Sequence, residues 1–353
     1  MDGGDSRFAF ASVHKSMKEE TLVTKPRMPI PGPKATIRSL GIVAMLTLSS
    51  ALAAQEAEPA VSNELIVTLL GTGTPGADPS RYGYSNLVQA GEITLLIDAG
   101  RGAPVRINQM GLRVGSIDGV FLTHFHSDHI NGLGDVFMTG YLTGPIGGRE
   151  EPMRLIGPRG TVRIAEGLET AYRVDAEIRI DDEGVPEDAT FISAHEAQSG
   201  VVFDQDGVTV TAFETHHGEA IKPSVGYRID YAGKSVGFSG DVANDAGIIE
   251  HLQGVDLLVH SVATAPTEML DLPFVKRVLS HHISPQDAGR TFAQTQPNMA
   301  VYSHVGRLGD GEVRMTDLVE ATRQTYGGPL TVGEDLMQFR IGDDGLAIVS
   351  ARD

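Results

Sequence analysis

Residues 123–130 read THFHSDHI, which places His124, His126, Asp128 and His129 within six positions, directly after the apolar run GVFL at 119–122. Core packing does not require that spacing, and imidazole with carboxylate is the donor set of a divalent-cation site. On extended backbone successive side chains alternate, so His124, His126 and Asp128 are expected on one side and His129 on another. That division leaves room for two adjacent coordination centres. Further donors would have to arrive at strand ends along the same edge. FETHH ends such a run at His216 and His217, VGFSGD at Asp241, and AVYSH at His304.

The chain of 353 residues contains no cysteine, so disulfides and thiolate ligands are both excluded and any metal must be held by nitrogen and oxygen. Hydrophobic residues make up 41% and charged residues 21%, the balance of a folded globular protein. The formal net charge of -18 repels phosphate backbones and anionic membranes, and no run of Lys and Arg offsets it. Nucleic acid is therefore an unexpected partner on charge alone.

Near the start, Lys34 and Arg38 precede LGIVAMLTLSSALAA, an apolar stretch of 15 residues with small residues at its end. This is the pattern of a secretory signal cut near Ala53 or Ala54, too short to span a bilayer comfortably. The expectation is a periplasmic or secreted protein with no stable membrane insertion after cleavage. Met28 would begin a conventional signal, so residues 1–27 are set aside. The expected organisation is an extension and signal over 1–54 and one catalytic domain over 55–353.

Along that domain, ELIVTLL (64–70) reads as a strand followed by GTGTPG. Gly71, Gly73 and Gly76 satisfy G-x-G-x-x-G, but ADPSRYGYSN carries Pro79 and turn formers where a dinucleotide loop would open a helix. Strands are expected at TLLIDAG, GVFLTH, MRLIGP, GVTVTAFETHH, SVGYRIDY, KSVGFSGD, VDLLVH, MAVYSH, LMQFRI and LAIVS. Helices are expected at 103–112, at TVRIAEGLETAYRV and after Ser284, Pro285 and Asp287. Interleaved strands and helices with central hairpins predict an α/β fold of two mixed sheets covered by helices.

With these motifs in place, THFHSDH resembles the H-x-H-x-D-H signature of the metallo-β-lactamase fold superfamily. LLGTGTP, LLIDAGRG, LIGPRG, GYRID, GFSGD and SHHISPQDAG are similar to its branch of ribonuclease Z and ribonuclease Z-like arylsulfatases. The resemblance covers about residues 64–340. It implies a four-layered αβ/βα sandwich with metals at one edge, His124, His126 and His217 on one ion, Asp128, His129 and His304 on the second, and Asp241 bridging. His216 remains an alternative to His217, and Asp98 is implied beside the ligands. Zinc, two ions per chain, suits the donor set best, with manganese or iron allowed.

Two such ions ionise a shared water at neutral pH, so hydrolysis by a metal-bridging hydroxide is the expected reaction. The resemblance makes Asp128, Asp241 and His282 the residues expected to carry it, His282 as proton donor to the leaving oxygen. Related ribonucleases pair that histidine with a glutamate where this chain has Ser261. No long arm rich in Gly and Pro interrupts 157–217. These departures, with export and the acidic charge, favour a small-molecule ester as substrate, a sulfate ester or phosphodiester, in an arylsulfatase-like enzyme. The alternatives are a 3′ tRNA-processing endoribonuclease of ribonuclease Z type, a lactonase or β-lactamase-like acyl hydrolase, and a non-catalytic metal-binding scaffold. Arg81 and Lys222 are the cations nearest the motifs, and a homodimer is compatible with the sequence.

Overall fold

The computed structural model describes residues 62–309 and 313–350. The signal segment and its cut near Ala53 or Ala54 lie outside the described residues. Among the described residues no helix is long and apolar enough to cross a membrane.

Strand parity explains the layering. In the strand Ile93–Ile97, Leu95 and Ile97 enter one core while Leu96 enters another. In the strand Leu257–Thr264, Leu257 and Val259 enter the first core and Leu258 a third. A strand apolar on both faces must be covered on both, which is why each sheet carries helices outside and its partner sheet inside.

In chain order the elements are β1 (Leu65–Gly71), β2 (Ser85–Ala90), β3 (Ile93–Ile97), α1 (Ala103–Gln109), β4 (Gly119–Phe121), α2 (Ser127–Ile130), α3 (Leu133–Tyr141), β5 (Met153–Gly157) and α4 (Thr161–Glu183). Next come β6 (Ile192–Glu196), β7 (Gly200–Gln205), β8 (Val208–Glu214), β9 (Val225–Tyr231), β10 (Lys234–Phe238), α5 (Ala246–His251) and β11 (Leu257–Thr264). The last are α6 (Pro273–Leu279), α7 (Pro285–Thr295), β12 (Met299–Arg307), α8 (Met315–Arg323), β13 (Leu330–Val332), β14 (Met337–Gly342) and β15 (Gly345–Ser350). One sheet has eight strands in the order β15-β14-β1-β2-β3-β4-β5-β6, and the other seven in the order β13-β12-β11-β10-β9-β8-β7. Both are mixed, as expected.

Between the sheets lies a core that draws Leu65, Val67, Val88 and Phe121 from the first and Val210, Tyr227, Ile229 and Val259 from the second. The outer face of the first sheet packs on α1 and α3 through Ala103, Ile107, Val136 and Phe137. That of the second packs on α5, α7 and α8 through Ile248, Phe292 and Leu318. Fully burying an aliphatic or aromatic side chain contributes about 1.5–3 kcal/mol, so the three cores dominate stability.

The GTGTPG turn opens into β2 and no helix, in keeping with the rejected dinucleotide reading. β4 runs parallel to β3, and β10, β11 and β12 are mutually parallel. β8 points the same way as β10, each being antiparallel to β9. The C-terminal ends of β4, β8, β10 and β12 carry the singled-out side chains.

Candidate metal centre

Past β4 the chain stays extended as far as His126, whose ψ of 148° makes it the N-cap of α2. Asp128 and His129 then sit on a helical turn, so the expected alternation stops at His126. A four-residue helix leaves too short a periodic trace to be read from sequence. Asp128 and His129 are both buried and both turn inward.

Asp98, just beyond β3, anchors this segment. Its Oδ1 accepts from the Thr123 amide at 2.8 Å, and its Oδ2 accepts from the Thr123 hydroxyl and from His129 Nδ1, each at 2.8 Å. Because the Thr123 hydroxyl spends its proton on Asp98, its oxygen accepts from His124 Nδ1 at 3.0 Å. One carboxylate thereby sets both imidazoles with Nδ1 protonated and Nε2 turned to the centre. His217, beyond β8, is held the same way: its Nδ1 donates to the His281 carbonyl at 2.8 Å.

Asp241 follows β10 through Gly240, which adopts a positive φ of 59°. His304 is delivered by a bulge. His260 pairs with Tyr302 and Val262 with Val305, so two residues of β12 oppose one of β11. His304 itself takes a φ of 55°, and the extra residue re-aims its ring at the cluster.

The side chains converge on Asp241. Its Oδ2 lies 3.5 Å from His129 Nε2, 3.7 Å from His217 Nε2 and 4.0 Å from His282 Nδ1, and its Oδ1 lies 3.2 Å from His304 Nδ1. His304 Nε2 is 2.9 Å from Asp128 Oδ2, and His217 Nε2 is 3.1 Å from His126 Nδ1. One set of donor atoms, from His124, His126, His217 and Asp241, lies within 4.8 Å of one another. So does a second, from Asp128, His129 and His304, and a third that joins Asp241, His282 and His304.

Six buried atoms here have no hydrogen-bond partner: His124 Nε2, Asp128 Oδ1, His129 Nε2, Asp241 Oδ1, His282 Nδ1 and His304 Nδ1. Each would cost about 1–3 kcal/mol if left so, whereas one or two cations would satisfy those of His124, Asp128, His129, Asp241 and His304 together. The residues fit a metal centre.

The local electrostatics agree. Burial holds His124 well below its ordinary value and pushes His217 down to about 3, the neutral form that coordinates. Burial also opposes protonation of His129, but the Asp241 and Asp98 carboxylates hold it well above its usual range. Burial opposes ionisation of Asp241, yet His304 and His129 hold its carboxyl well below the carboxylate range. A carboxylate kept ionised among buried imidazoles is poised for a cation.

His216 is exposed and faces a separate polar cleft with Lys222 and Asp245, so the geometry puts His217 in the cluster and leaves His216 outside. Arg81 donates to Thr72 and to the Gly333 carbonyl, and Lys222 pairs with Glu219; neither lines the cleft over the cluster. That cleft, about 410 Å³, is walled by Thr74 and Pro75, Val278, His281, His282 and Arg307. His281 and Arg307 were not singled out from sequence, since a second histidine beside His282 and an arginine three residues after His304 carry no spacing signal. Ser261 is buried and accepts from the Val242 amide at 3.4 Å.

The beta-lactamase superfamily domain matches residues 94–305. Ribonuclease Z of Mycobacterium bovis is 34% identical over 279 residues, spanning 78% of this chain and 98% of that protein. This chain belongs to the metallo-β-lactamase superfamily, in its ribonuclease Z branch. As a member it is a metal-dependent hydrolase. Ribonuclease Z of Mycobacterium marinum is 33% identical, with the same coverage. Human tRNase Z, short form, shares the fold with a TM-score of 0.59 at 21% identity, over 77% of this chain and 98% of that one. The metallo-β-lactamase fold protein YhfI of Bacillus subtilis does so with 0.61 at 16%, over 79% and 100%.

These relatives correct two expectations. The exported, arylsulfatase-like hydrolase of a small-molecule ester gives way to the tRNA-processing alternative, because the relatives matched over 98% of their length are ribonucleases Z. Nucleic acid as an unexpected partner falls with it. The physical reason is that net charge averages over the whole surface, whereas a phosphodiester is met by the local field of one cleft.

Proposed function

We propose that the protein is an endoribonuclease of ribonuclease Z type, hydrolysing a phosphodiester bond at the 3′ side of tRNA precursors. In this reading His124, His126 and His217 would hold one zinc ion and Asp128, His129 and His304 a second, with Asp241 available to either. The 34% identity to a ribonuclease Z along nearly that protein's whole length carries the reading. The position of Asp241, within 4.0 Å of four imidazoles, supports the shared carboxylate.

When bound, the cations supply Lewis acidity, activating water and neutralising charge that develops on the phosphate. The chain supplies the rest. Asp98 and Thr123 fix the tautomers of His124 and His129, and the His281 carbonyl fixes that of His217. His282 opens onto the cleft, and burial holds it down to about 4, so at neutral pH it is an uncharged imidazole. We assign its N–H to the oxygen that leaves, a hydrogen bond that strengthens as negative charge builds there.

The test is cleavage of a tRNA precursor carrying a 3′ trailer by the zinc-loaded protein, with Asp241→Asn as control. The expected result is a single cut yielding a mature-length tRNA, lost in the variant. Cleavage of bis(p-nitrophenyl) phosphate with the precursor left intact would refute the ribonuclease reading.

A further inference from the structure

Between β11 and α7 the chain makes an excursion through residues 265–282, and α6 forms one wall of the catalytic cleft. Val275 is its fully buried anchor. Flanking it, Phe274, Val278 and His281 follow one another along one stripe at i, i+4 and i+7, and Arg277 lies beside them at i+3. Helical winding persists past Leu279, since Ser280 is α-helical and the His281 amide bonds back to the Val278 carbonyl. Val278 and His281 line the cleft. Phe274 therefore extends that wall outward by one turn, about 6 Å.

Phe274 is 47% exposed, and Leu270 and Leu272 just before it are 42% and 41% exposed. A soluble acidic protein keeps an aromatic ring in water beside its reaction cleft at a cost, which points to a partner for it. Lys276 is tied to Asp271 at 2.9 Å, whereas Arg277 enters no ion pair among the described residues. A π-face and an unpaired guanidinium on one stripe, leading to a site for phosphodiester hydrolysis, match a single strand: base on ring, phosphate on cation.

We infer that the Phe274–Arg277–Val278–His281 face of α6 is a nucleotide platform. Phe274 stacks on an unpaired base flanking the scissile phosphate, and Arg277 holds the adjoining phosphate. The inference rests on the ribonuclease reading and names the part of the substrate the cleft wall receives: single-stranded RNA at the cleavage junction.

The sequence contains no tryptophan, so Phe274→Trp creates a single fluorophore at the platform. Full-length, zinc-loaded F274W is titrated with a short phosphorothioate-linked single-stranded oligoribonucleotide, and with an abasic strand of equal charge. Saturable quenching by the first and none by the second is expected. No quenching, or equal quenching by both, overturns the platform. In parallel, Phe274→Ala should lower kcat/KM on the tRNA precursor roughly tenfold while leaving bis(p-nitrophenyl) phosphate turnover nearly unchanged. Arg277→Ala should reduce the slope of log affinity against log salt by about 0.7. Equal loss on both substrates in the alanine variant would refute a stacking role. The fluorescence titration requires no turnover, so it judges the platform even if the precursor is not cut, an outcome that would refute the ribonuclease reading by itself.

Discussion

Replacing Asp98 with asparagine should separate ligand orientation from ligand identity. Asp98 contributes no atom to the three donor sets, yet it accepts three hydrogen bonds, two from Thr123 and one from His129. Its φ of 58° is a left-handed conformation that asparagine tolerates well, so the backbone is retained. The new amide oxygen still accepts from the Thr123 amide, but the amide nitrogen can only donate. His129 Nδ1 must then accept, which moves its proton to Nε2, the atom facing Asp241. A ring with that tautomer cannot coordinate without first losing the proton. Loss of such an outer partner lowers metal affinity about 10- to 100-fold, or about 1.4–2.7 kcal/mol. Competition for zinc against a chromophoric chelator, read beside thermal melting of the metal-free protein, measures this. Wild-type zinc affinity in a folded Asp98→Asn protein would refute the tautomer argument.

His217→Ala should remove zinc from the site measurably, by metal analysis after gel filtration, while His216→Ala keeps the wild-type content; the reverse would mean that the ligand is His216. His260 is fully buried against Phe292, outside the donor sets, and burial holds it down to about 4. An imidazole depressed in the fold stabilises it above the unfolded value of about 6.5, and that contribution is lost as pH falls towards 4, at most about 3 kcal/mol. Denaturant titrations of the metal-free protein between pH 7 and 4 should thus show a shallower acid loss for His260→Leu than for wild type; parallel curves would count against it.

What the sequence disclosed was set by how periodic each segment is. Strands buried on both faces, such as β3 and β11, read plainly, and so did the candidate donors at or near the ends of β4, β8, β10 and β12. Ser284 caps α7 as expected, accepting from the Asp287 amide. β6 and β7 were not read as strands because their faces are largely exposed and carry no apolar alternation. α4 runs on to Glu183, beyond the expected stretch, because DAEIRIDDE continues the helix with polar residues until Gly184 stops it at a φ of 70°. The bulge that aims His304 depends on pairing with β11 and leaves no local trace. Substrate class was misread from the global charge together with local departures, Ser261 and the absence of a Gly- and Pro-rich arm over 157–217, and the α6 face became visible only once its neighbours in the cleft were in place.

The donors arrive from two sheets. THFHSDH hangs from the first, and His217, Asp241 and His304 from the second. There the Val225 amide donates to the Thr123 carbonyl at 2.9 Å and the Tyr227 hydroxyl to the Leu122 carbonyl at 2.7 Å, and ion occupancy would add a clasp between the layers beside them. Stripping the metal would loosen the seam from the catalytic rim inward, so the same event that silences the enzyme also marks it for unfolding.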